Sequence, residues 1–568
     1  MNLAAECAAE AAQLTVPGLL RRNAESYPGA GALTAGTRTL SWAELREQVA
    51  GMARGLQALG LAPGERLLIM MGGRFEHWIA DLAAAHVQAI SCTAYHTLSP
   101  EQIAYVARHS AASVVVLEGA GELERWGQAL AGTPSIRHVV VVDDVPLPDD
   151  ERFLSWERLR ERGARLHEQD PAVLEKLTDA IEPHQPVAMM YTSGTTGDPK
   201  AVVLSHYNVL YEAVALNRAV PVDKHQPAIA YLPLAHIAER ELAIYRALYE
   251  ATHIYICADP GQVVGTLAAV RPTSFFGVPR VWEKIAGGLR AALASMPEGD
   301  RAGALPVIVH QLGLDQITWP VSGSAPLPAP VREFLASAGI DVLEVWGMSE
   351  TTGCATANTP GDAKPGTVGR PLPGVEVRIA EDGEIFVRGP IVFLGYLQPD
   401  GTVRKETDED GWLATGDIGT LDEDGFLTIT DRKKELLITS SGKNVAPTKI
   451  EGLLRAHPLV GYALAVGDNR PYLTALITLD EETAPGWAAA RGITGPAAGL
   501  AAHPAVRAEL DALVEEVNGK LARAEQIKRY RVLPSAWSPE TGELTPTLKL
   551  RRRIIHDRYS PDIAALYD

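Results

Sequence analysis

The sequence predicts an α/β fold with a large N-terminal domain of α/β sheets, a β-rich subdomain within it, and a small α+β C-terminal domain. Helical and strand-like spacings alternate between 41 and 118. From about 360 to 430 the texture changes to short strand-like pieces separated by Gly, Pro and Asp turns, and a fresh set of strand and helix signals begins after 432. A chain of 568 residues also exceeds what a single hydrophobic core organises.

Taken in order, Ser41 and Glu44 form a capping-box pattern, after which Leu45, Val49, Met52, Leu56 and Leu59 recur at spacings of four and three. Gly60 and Pro63 stop that run before the strand-like LLIMM at 67–71, so one amphipathic helix feeds one buried strand. Glu76 to Ala89 repeats the helical spacing. SPEQ at 99–102 opens a further helix with Pro100 in its first turn, and SVVVLE at 113–118 has the continuous apolar character of a parallel-sheet strand. VEVRIA and GEIFVRG are the short strands of the β-rich subdomain, 360–430. Beyond 432 a short helix is expected near 448–456, strands at YALAV and YLTALITL, a loop over the Ala, Gly and Pro rich 484–503, and a long helix from Ala505 to Ala522. The domains are therefore placed at 1–432 and 433–568.

Composition narrows the function classes. With 46% hydrophobic and 21% charged residues, the chain can bury a sizeable core and does not match disordered or collagen-like compositions. Its formal net charge of −18 disfavours a general electrostatic attraction to nucleic acid or to anionic membrane. Cys7, Cys92, Cys257 and Cys354 lie far apart with no CxxC pair, so neither a disulfide framework nor a zinc site is indicated, and a reducing cytoplasm is expected. Glu6 and Glu10 precede the first Arg21, unlike a secretory signal, and Arg74, Glu76 and Asp81 interrupt the longest apolar region well short of the roughly 20 residues of a membrane span. Oligomeric state and contact with a membrane surface stay open.

The segment MMYTSGTTGDPK leads from an apolar run into Thr192, Ser193, Gly194, Thr195, Thr196 and Gly197, and ends at Lys200. Clustered hydroxyls, approachable backbone N–H groups and one cation suit the oxygens of a polyphosphate. The spacing is not that of a Walker A loop, because Lys200 follows Pro199 and precedes Ala201. On composition alone a plain Gly/Ser/Thr surface linker stays open.

YTSGTTGDPKAVVLSHYN resembles the signature loop of the AMP-forming acyl-CoA synthetases, the superfamily shared with firefly luciferase and nonribosomal peptide adenylation domains. YLPLAHIAER (231–240), FFGVPRVWEK (275–284), SGSAPL (322–327), WGMSETTG (346–353), TGDIG (415–419), DRKKELLITSSGKNVAP (431–447) and ELTPTLKLRRR (543–553) follow in the family's order. They are similar to the long-chain fatty acyl-CoA synthetase branch. The resemblance implies attack of a fatty acid carboxylate on the α-phosphate of ATP, giving acyl-AMP and pyrophosphate, followed by attack of the CoA thiol on the acyl carbon. Because two anions meet in the first step, cations and N–H donors are its chief requirement.

By the same resemblance, Trp346 packs against adenine beside Gly347, Ser349 contacts the α-phosphate, and Glu350 with Thr192 holds Mg2+ together with ATP oxygens and water. Gly323, Ser324, Ala325 and Pro326 lie along the adenine, and Asp417 and Arg432 meet the ribose hydroxyls. His236 matches a position near the acyl carbon, with a structural core histidine as the other reading. Lys549 matches the mobile catalytic lysine, whereas Arg551 to Arg553 either meet CoA phosphates or are solvated. Lys434 matches the hinge about which a mobile C-terminal domain turns, and Gly442 would line the pantetheine path. Glu239 and Arg240 are expected to form a buried or half-buried ion pair. Three rivals are weighed against this reading, of which a peptide-synthetase adenylation domain is disfavoured because YLPLAHIAER holds no Asp to meet an amino group. The second is a fatty acyl-AMP ligase delivering to a carrier protein, disfavoured by the absence of an evident obstructing segment after SSGKNVAP. The third is a non-catalytic nucleotide-binding regulator, disfavoured by the presence of Lys549, Glu350, Asp417 and Arg432 together.

Overall fold

A computed structural model describes residues 2–192, 199–440, 443–493, 495–545 and 548–568. The first predicted helix forms as Trp42–Ala58 with its capping box closed: the Glu44 N–H donates to the Ser41 hydroxyl and the Glu44 carboxylate accepts from the Ser41 N–H. Leu45, Val49, Met52 and Leu56 face inward, and the helix feeds the buried strand Arg66–Met70. Helices Phe75–His86 and Pro100–Ser110 and strand Val114–Leu117 follow in the expected order, the second helix again with a capping box, between Ser99 and Gln102.

Among the described residues the largest sheet has nine strands. Pro186–Thr192, Ile90–Thr93, Arg66–Met70, Val114–Leu117, His138–Val141 and Phe153–Ser155 run parallel, as buried strands joined by helical crossovers must. On the other side Lys200–Ser205 turns back antiparallel to Pro186–Thr192. A second sheet holds Ser274–Gly277, Trp319–Ser322 and Leu343–Trp346 in parallel, so these strands point their C-terminal ends the same way. In open α/β sheets those ends are where ligands bind. The β-rich segment forms an antiparallel sheet of Glu376–Ile379, Glu384–Arg388, Leu413–Leu421 and Leu427–Arg432, while Gly395–Leu397 and Val403–Arg404 leave it to extend the nine-stranded sheet.

The smaller C-terminal domain has a three-stranded sheet of Val460–Val466, Leu473–Leu479 and Ile527–Leu533, with helices Pro447–Arg455 and Pro504–Gly519 contributing Ile450, Leu454, Val506 and Leu510 to its core. Its hydrophobic clusters begin at Leu437 and share no member with those of the large domain. Charges tie the two together. Glu283 and Lys284 on helix Pro279–Ala294 pair with Arg455 at 3.0 Å and Glu482 at 2.9 Å, and Arg280 pairs with Asp480.

Two expectations are corrected. The 484–503 segment is not simply a loop: it folds two short helices, Ala484–Ala489 and Ala497–Leu500, the first burying Ala484 and Ala488 in the C-terminal core. Its alanines favour helix over the loop suggested by the neighbouring Gly and Pro. Arg240 does not pair with Glu239 either. Its guanidinium, fully enclosed, binds Asp81 at 2.8 Å, whereas Glu239 accepts from the backbone of Tyr231 and Leu232. Adjacent helical residues point about 100° apart, so these two neighbours find different partners. Among the described residues no helix is long and apolar enough to cross a membrane.

Candidate active site

A cleft of about 1280 Å3 opens where the parallel strands end and the C-terminal domain meets the large one. Thr192, Lys200, His236, Gly323, Ser324, Ala325, Pro326, Trp346, Gly347, Ser349, Glu350, Asp417, Arg432, Lys434 and Lys549 all line it, gathered from motifs spread across 358 positions of sequence between Thr192 and Lys549. Ser193, Gly194, Thr195, Thr196, Gly197 and Gly442 lie outside the described residues.

SGSAPL leaves the end of Trp319–Ser322. Ser324 takes a left-handed φ of +70°, and a Cβ on Gly323 would come within 3.1 Å of the Phe276 and Val345 side chains, which would have to give by a few tenths of an ångström, so glycine lets this turn lie flat against its neighbours. Its far end is pinned by the Leu327 N–H on Glu344 at 3.1 Å, itself paired with Arg332 at 3.0 Å. WGMSETTG leaves Leu343–Trp346 in the same way and turns at once into the short 3-10 helix Ser349–Thr351, which carries Glu350. A Cβ on Gly347 would sit 2.0 Å from the Gly353 carbonyl oxygen, so this reversal needs glycine.

Asp417 and Arg432 are cross-strand partners in the antiparallel sheet, and Arg432 Nε lies 2.8 Å from Asp417 Oδ1. The other oxygen of Asp417 accepts from Trp346 Nε1 at 2.8 Å. Burial pushes the Asp417 carboxyl up, and Arg432 and the indole hold it down. The tryptophan is thus both a buried aromatic wall and a hydrogen-bond donor. Arg432 stays about half exposed, at 48%, which leaves N–H donors free for a diol on its cleft side.

Glu350 Oε1 accepts from the Tyr396 hydroxyl at 2.6 Å, and Lys200 Nζ stands 4.6 Å from the centre of that ring. Tyr396, in the short strand Gly395–Leu397, therefore bridges the two charged groups and was not anticipated from the sequence. Its only signal was an aromatic residue following a glycine in a strand-like piece. Thr192 Oγ1 donates to the Lys200 carbonyl oxygen at 3.4 Å, which keeps this hydroxyl at the loop's base. One carboxylate and one hydroxyl are what a hard cation needs if phosphate oxygens and water complete its shell, and the described residues offer no cluster of three or more His, Cys, Asp or Glu that could hold a metal alone.

His236 precedes the helical segment Ile237–Arg240. Its Nε2 lies 3.4 Å from Ser324 Oγ, and Nδ1 is buried without a partner among the described residues. Burial, aided by the Lys549 charge, pushes this imidazole down to about 3, so it is neutral at physiological pH.

Lys549 arrives on a tight tongue. The Thr545 N–H donates to the Lys549 carbonyl at 2.8 Å, the Lys549 N–H donates to the Thr545 hydroxyl at 3.0 Å, and Leu544 bridges Leu550. The residue keeps solvent contact, yet its ammonium sits among protein walls and beside Arg432. Desolvation and that guanidinium push it down to about 8, against the attraction of Asp417 and Glu435. Arg552, on the same strand of chain, straps the tongue in place through Glu435 at 3.0 Å and Glu451 at 2.6 Å. Of the three arginines left open by the sequence, Arg552 is thus a structural anchor and Arg553, with 76% of its side chain exposed, is solvated. Arg551 donates to the Gly542 carbonyl at 3.3 Å.

Lys434 sits in a turn between the last strand of the large domain and the C-terminal domain. The N–H groups of Glu435 and Leu436 both donate to the Arg432 carbonyl, at 2.9 and 3.1 Å. Backbone geometry there is set by two local bonds rather than by core packing.

The sequence matches the AMP-binding enzyme family over residues 20–397 and the AMP-binding enzyme C-terminal domain over 434–568. It is 35% identical to the long-chain-fatty-acid–CoA ligase FadD15 of Mycobacterium bovis, covering 93% of this chain and 92% of that protein. To the long-chain-fatty-acid–CoA ligase ACSBG2 of Xenopus laevis it is 30% identical over 93% of this chain and 80% of the other. In fold it resembles the A domain of carboxylic acid reductase from Segniliparus rugosus, with a TM-score of 0.79 at 19% identity over 99% and 96% of the two chains.

Proposed function

The chain belongs to the AMP-binding enzyme family, and we propose that it activates a long-chain fatty acid with ATP and passes the acyl group to CoA. The observation that carries this reading is the meeting of Lys549, from the C-terminal domain, with Asp417, Arg432, Trp346, Glu350 and His236 in one cleft. Substrate class follows the names of the relatives, FadD15 and ACSBG2 among them.

In this scheme Trp346 and the 323–326 loop flank the adenine, and Asp417 and Arg432 take the ribose hydroxyls. The fatty acid oxygen attacks the α-phosphorus and the bond to pyrophosphate breaks, with Lys549, Lys200 and Ser349 offsetting charge where the two anions meet. Neutral His236 lies at the acyl carbon and orients the carboxylate. Ser193, Gly194, Thr195, Thr196 and Gly197 belong to the same phosphate cradle by their place between Thr192 and Lys200. Glu350 and Thr192 would hold Mg2+, which supplies positive charge to the phosphates when bound. The thiol sulfur of CoA then attacks the acyl carbon and AMP leaves. We take 1–432 and 433–568 as the two domains, Lys434 as their hinge and Gly442 as part of the pantetheine path; the hydrogen-bonded turn around Lys434 supports this. Four buried free thiols suit a reducing compartment, and we place the enzyme in the cytoplasm.

Release of AMP and pyrophosphate, followed with and without CoA over a series of saturated acids, tests the reading. AMP release that needs CoA, and a specificity that climbs from about C6 to a plateau near C12 to C18 at about 0.8 kcal/mol per buried methylene, are the expected results. Pyrophosphate formed without any response to CoA would point to delivery to a carrier protein, and no pyrophosphate from any acid would point to a regulator.

Glu350→Gln keeps shape but removes the charge offered to the metal. It should raise the magnesium concentration for half-maximal activity by about tenfold. An unchanged magnesium titration would reject the metal role.

A further inference from the structure

Three consecutive charged residues, Glu239, Arg240 and Glu241, are buried, with relative exposures of 4%, 0% and 1%. Arg240 is satisfied by Asp81, and Glu239 turns one side of its carboxyl to the backbone N–H groups of Tyr231 and Leu232 while its Oε1 has no partner among the described residues. Glu241 differs: neither of its carboxyl oxygens has a hydrogen-bond partner among the described residues. It opens a π-helical turn, Glu241–Tyr245, set between Ile237–Arg240 and Arg246–Glu250, a local irregularity that recurs at functional sites.

Glu241 lines the same cleft as His236, with Glu212, Leu242, Arg246, Phe276 and Trp319. The cation nearby is already engaged: Arg246 pairs with Glu250 at 2.7 Å, donates to the Val220 carbonyl at 3.0 Å and lies 5.2 Å from the Trp319 ring centre. Glu212 accepts from the Cys354 N–H at 2.6 Å. Three carboxyls thus surround one guanidinium out of water. Burial and the neighbouring Glu212 push Glu241 well above the usual carboxylate range against the attraction of Arg246; that direction favours the protonated acid, with one O–H donor and spare acceptors. A plain hydrocarbon lying against it leaves both unpaired, whereas an oxygen on the chain would pair one of them.

We propose that Glu241 is a specificity-determining residue whose carboxyl pairs with a hydroxyl or carbonyl oxygen on the acyl chain, so that the preferred substrate is an oxygenated fatty acid rather than its plain alkyl parent. This rests on the acyl-CoA synthetase reading given above. It concerns only the distal part of the substrate and leaves the adenylation chemistry unchanged.

The test compares dodecanoate with twelve-carbon acids bearing one hydroxyl or one ketone at successive positions, read as CoA-dependent AMP release by the full chain. At least one oxygenated acid is expected to exceed dodecanoate by about tenfold in kcat/KM, chiefly through KM, because the contact is remote from the reacting atoms. Glu241→Leu should abolish that ratio, mainly by improving dodecanoate, and Glu241→Gln, which still donates and accepts, should keep most of it. Dodecanoate outperforming every oxygenated acid, or a ratio that survives in Glu241→Leu, overturns the inference while the acyl-CoA reading stands. If Glu241→Leu does not fold, the wild-type ratio and the glutamine variant decide. No AMP from any acid, plain or oxygenated, overturns the acyl-CoA reading and this inference with it.

Discussion

Replacement of Lys549 by alanine is expected to slow acyl-AMP formation by about a hundredfold or more, while thioester formation from supplied acyl-AMP stays within about threefold. The asymmetry follows from where the charge is needed. Only adenylation brings a carboxylate against a phosphate, and one preorganised charged donor at such a point is worth about 3 kcal/mol or more. In the cleft the ammonium stands beside Asp417, Arg432 and Glu435 on a tongue that Arg552 fastens to Glu435 and Glu451, so truncation removes the charge without loosening the tongue. Equal damage to both half-reactions, measured by pyrophosphate release and by acyl-CoA formation from the adenylate, would reject the assignment. The same lysine sets a pH limb. Its ammonium is held down to about 8 in the free enzyme, below the ordinary lysine value, and the charged form is the useful one. The kcat/KM for adenylation should therefore fall as pH rises through about 8, and Lys549→Arg, charged throughout, should shift that limb upward.

The sequence was informative where forces are local. Ser41 with Glu44, and Ser99 with Gln102, announce helix starts because each cap is completed within four residues. The strand-end glycines of SGSAPL and WGMSETTG are legible for a related reason: their backbones turn so sharply that a side chain would strike a neighbour. What was not legible depends on partners distant in the chain. Tyr396 reaches Glu350 across 46 positions, and nothing in GYLQ signals it. Arg552 looked like one of three equivalent cations in LRRR, yet Glu451, 101 positions away, singles it out as an anchor. Glu239 and Arg240 misled because adjacency in sequence suggested a pair, while the helical turn between them sends each to a different wall.

The pairing of Arg240 with Asp81 carries a large stability effect. Arg240 Nη1 and Nη2 meet the two oxygens of Asp81 at 2.8 and 2.9 Å, Thr93 Oγ1 accepts at 3.0 Å, and Tyr245 OH accepts at 2.9 Å, all in the interior. Removal of Asp81 alone would strand a guanidinium that cannot shed its proton, so Asp81→Ala should cost about 3 to 5 kcal/mol. With an unfolding entropy of about 2.1 cal/mol/K per residue over roughly 430 residues, this corresponds to a fall of about 4 °C in Tm at fixed scan rate. Replacing both charges, as Asp81→Leu with Arg240→Met, removes the stranded ion and should recover most of the loss, because the desolvation of two charges nearly cancels their attraction when the pair is intact. A single variant within about 1 kcal/mol of wild type would mean that water or another acid takes over from Asp81. Arg240 also fixes the end of the segment that begins at His236, four residues earlier. Asp81→Ala should therefore raise KM for the fatty acid more than KM for ATP, since the nucleotide's proposed contacts, Trp346, Asp417 and Arg432, belong to other strands.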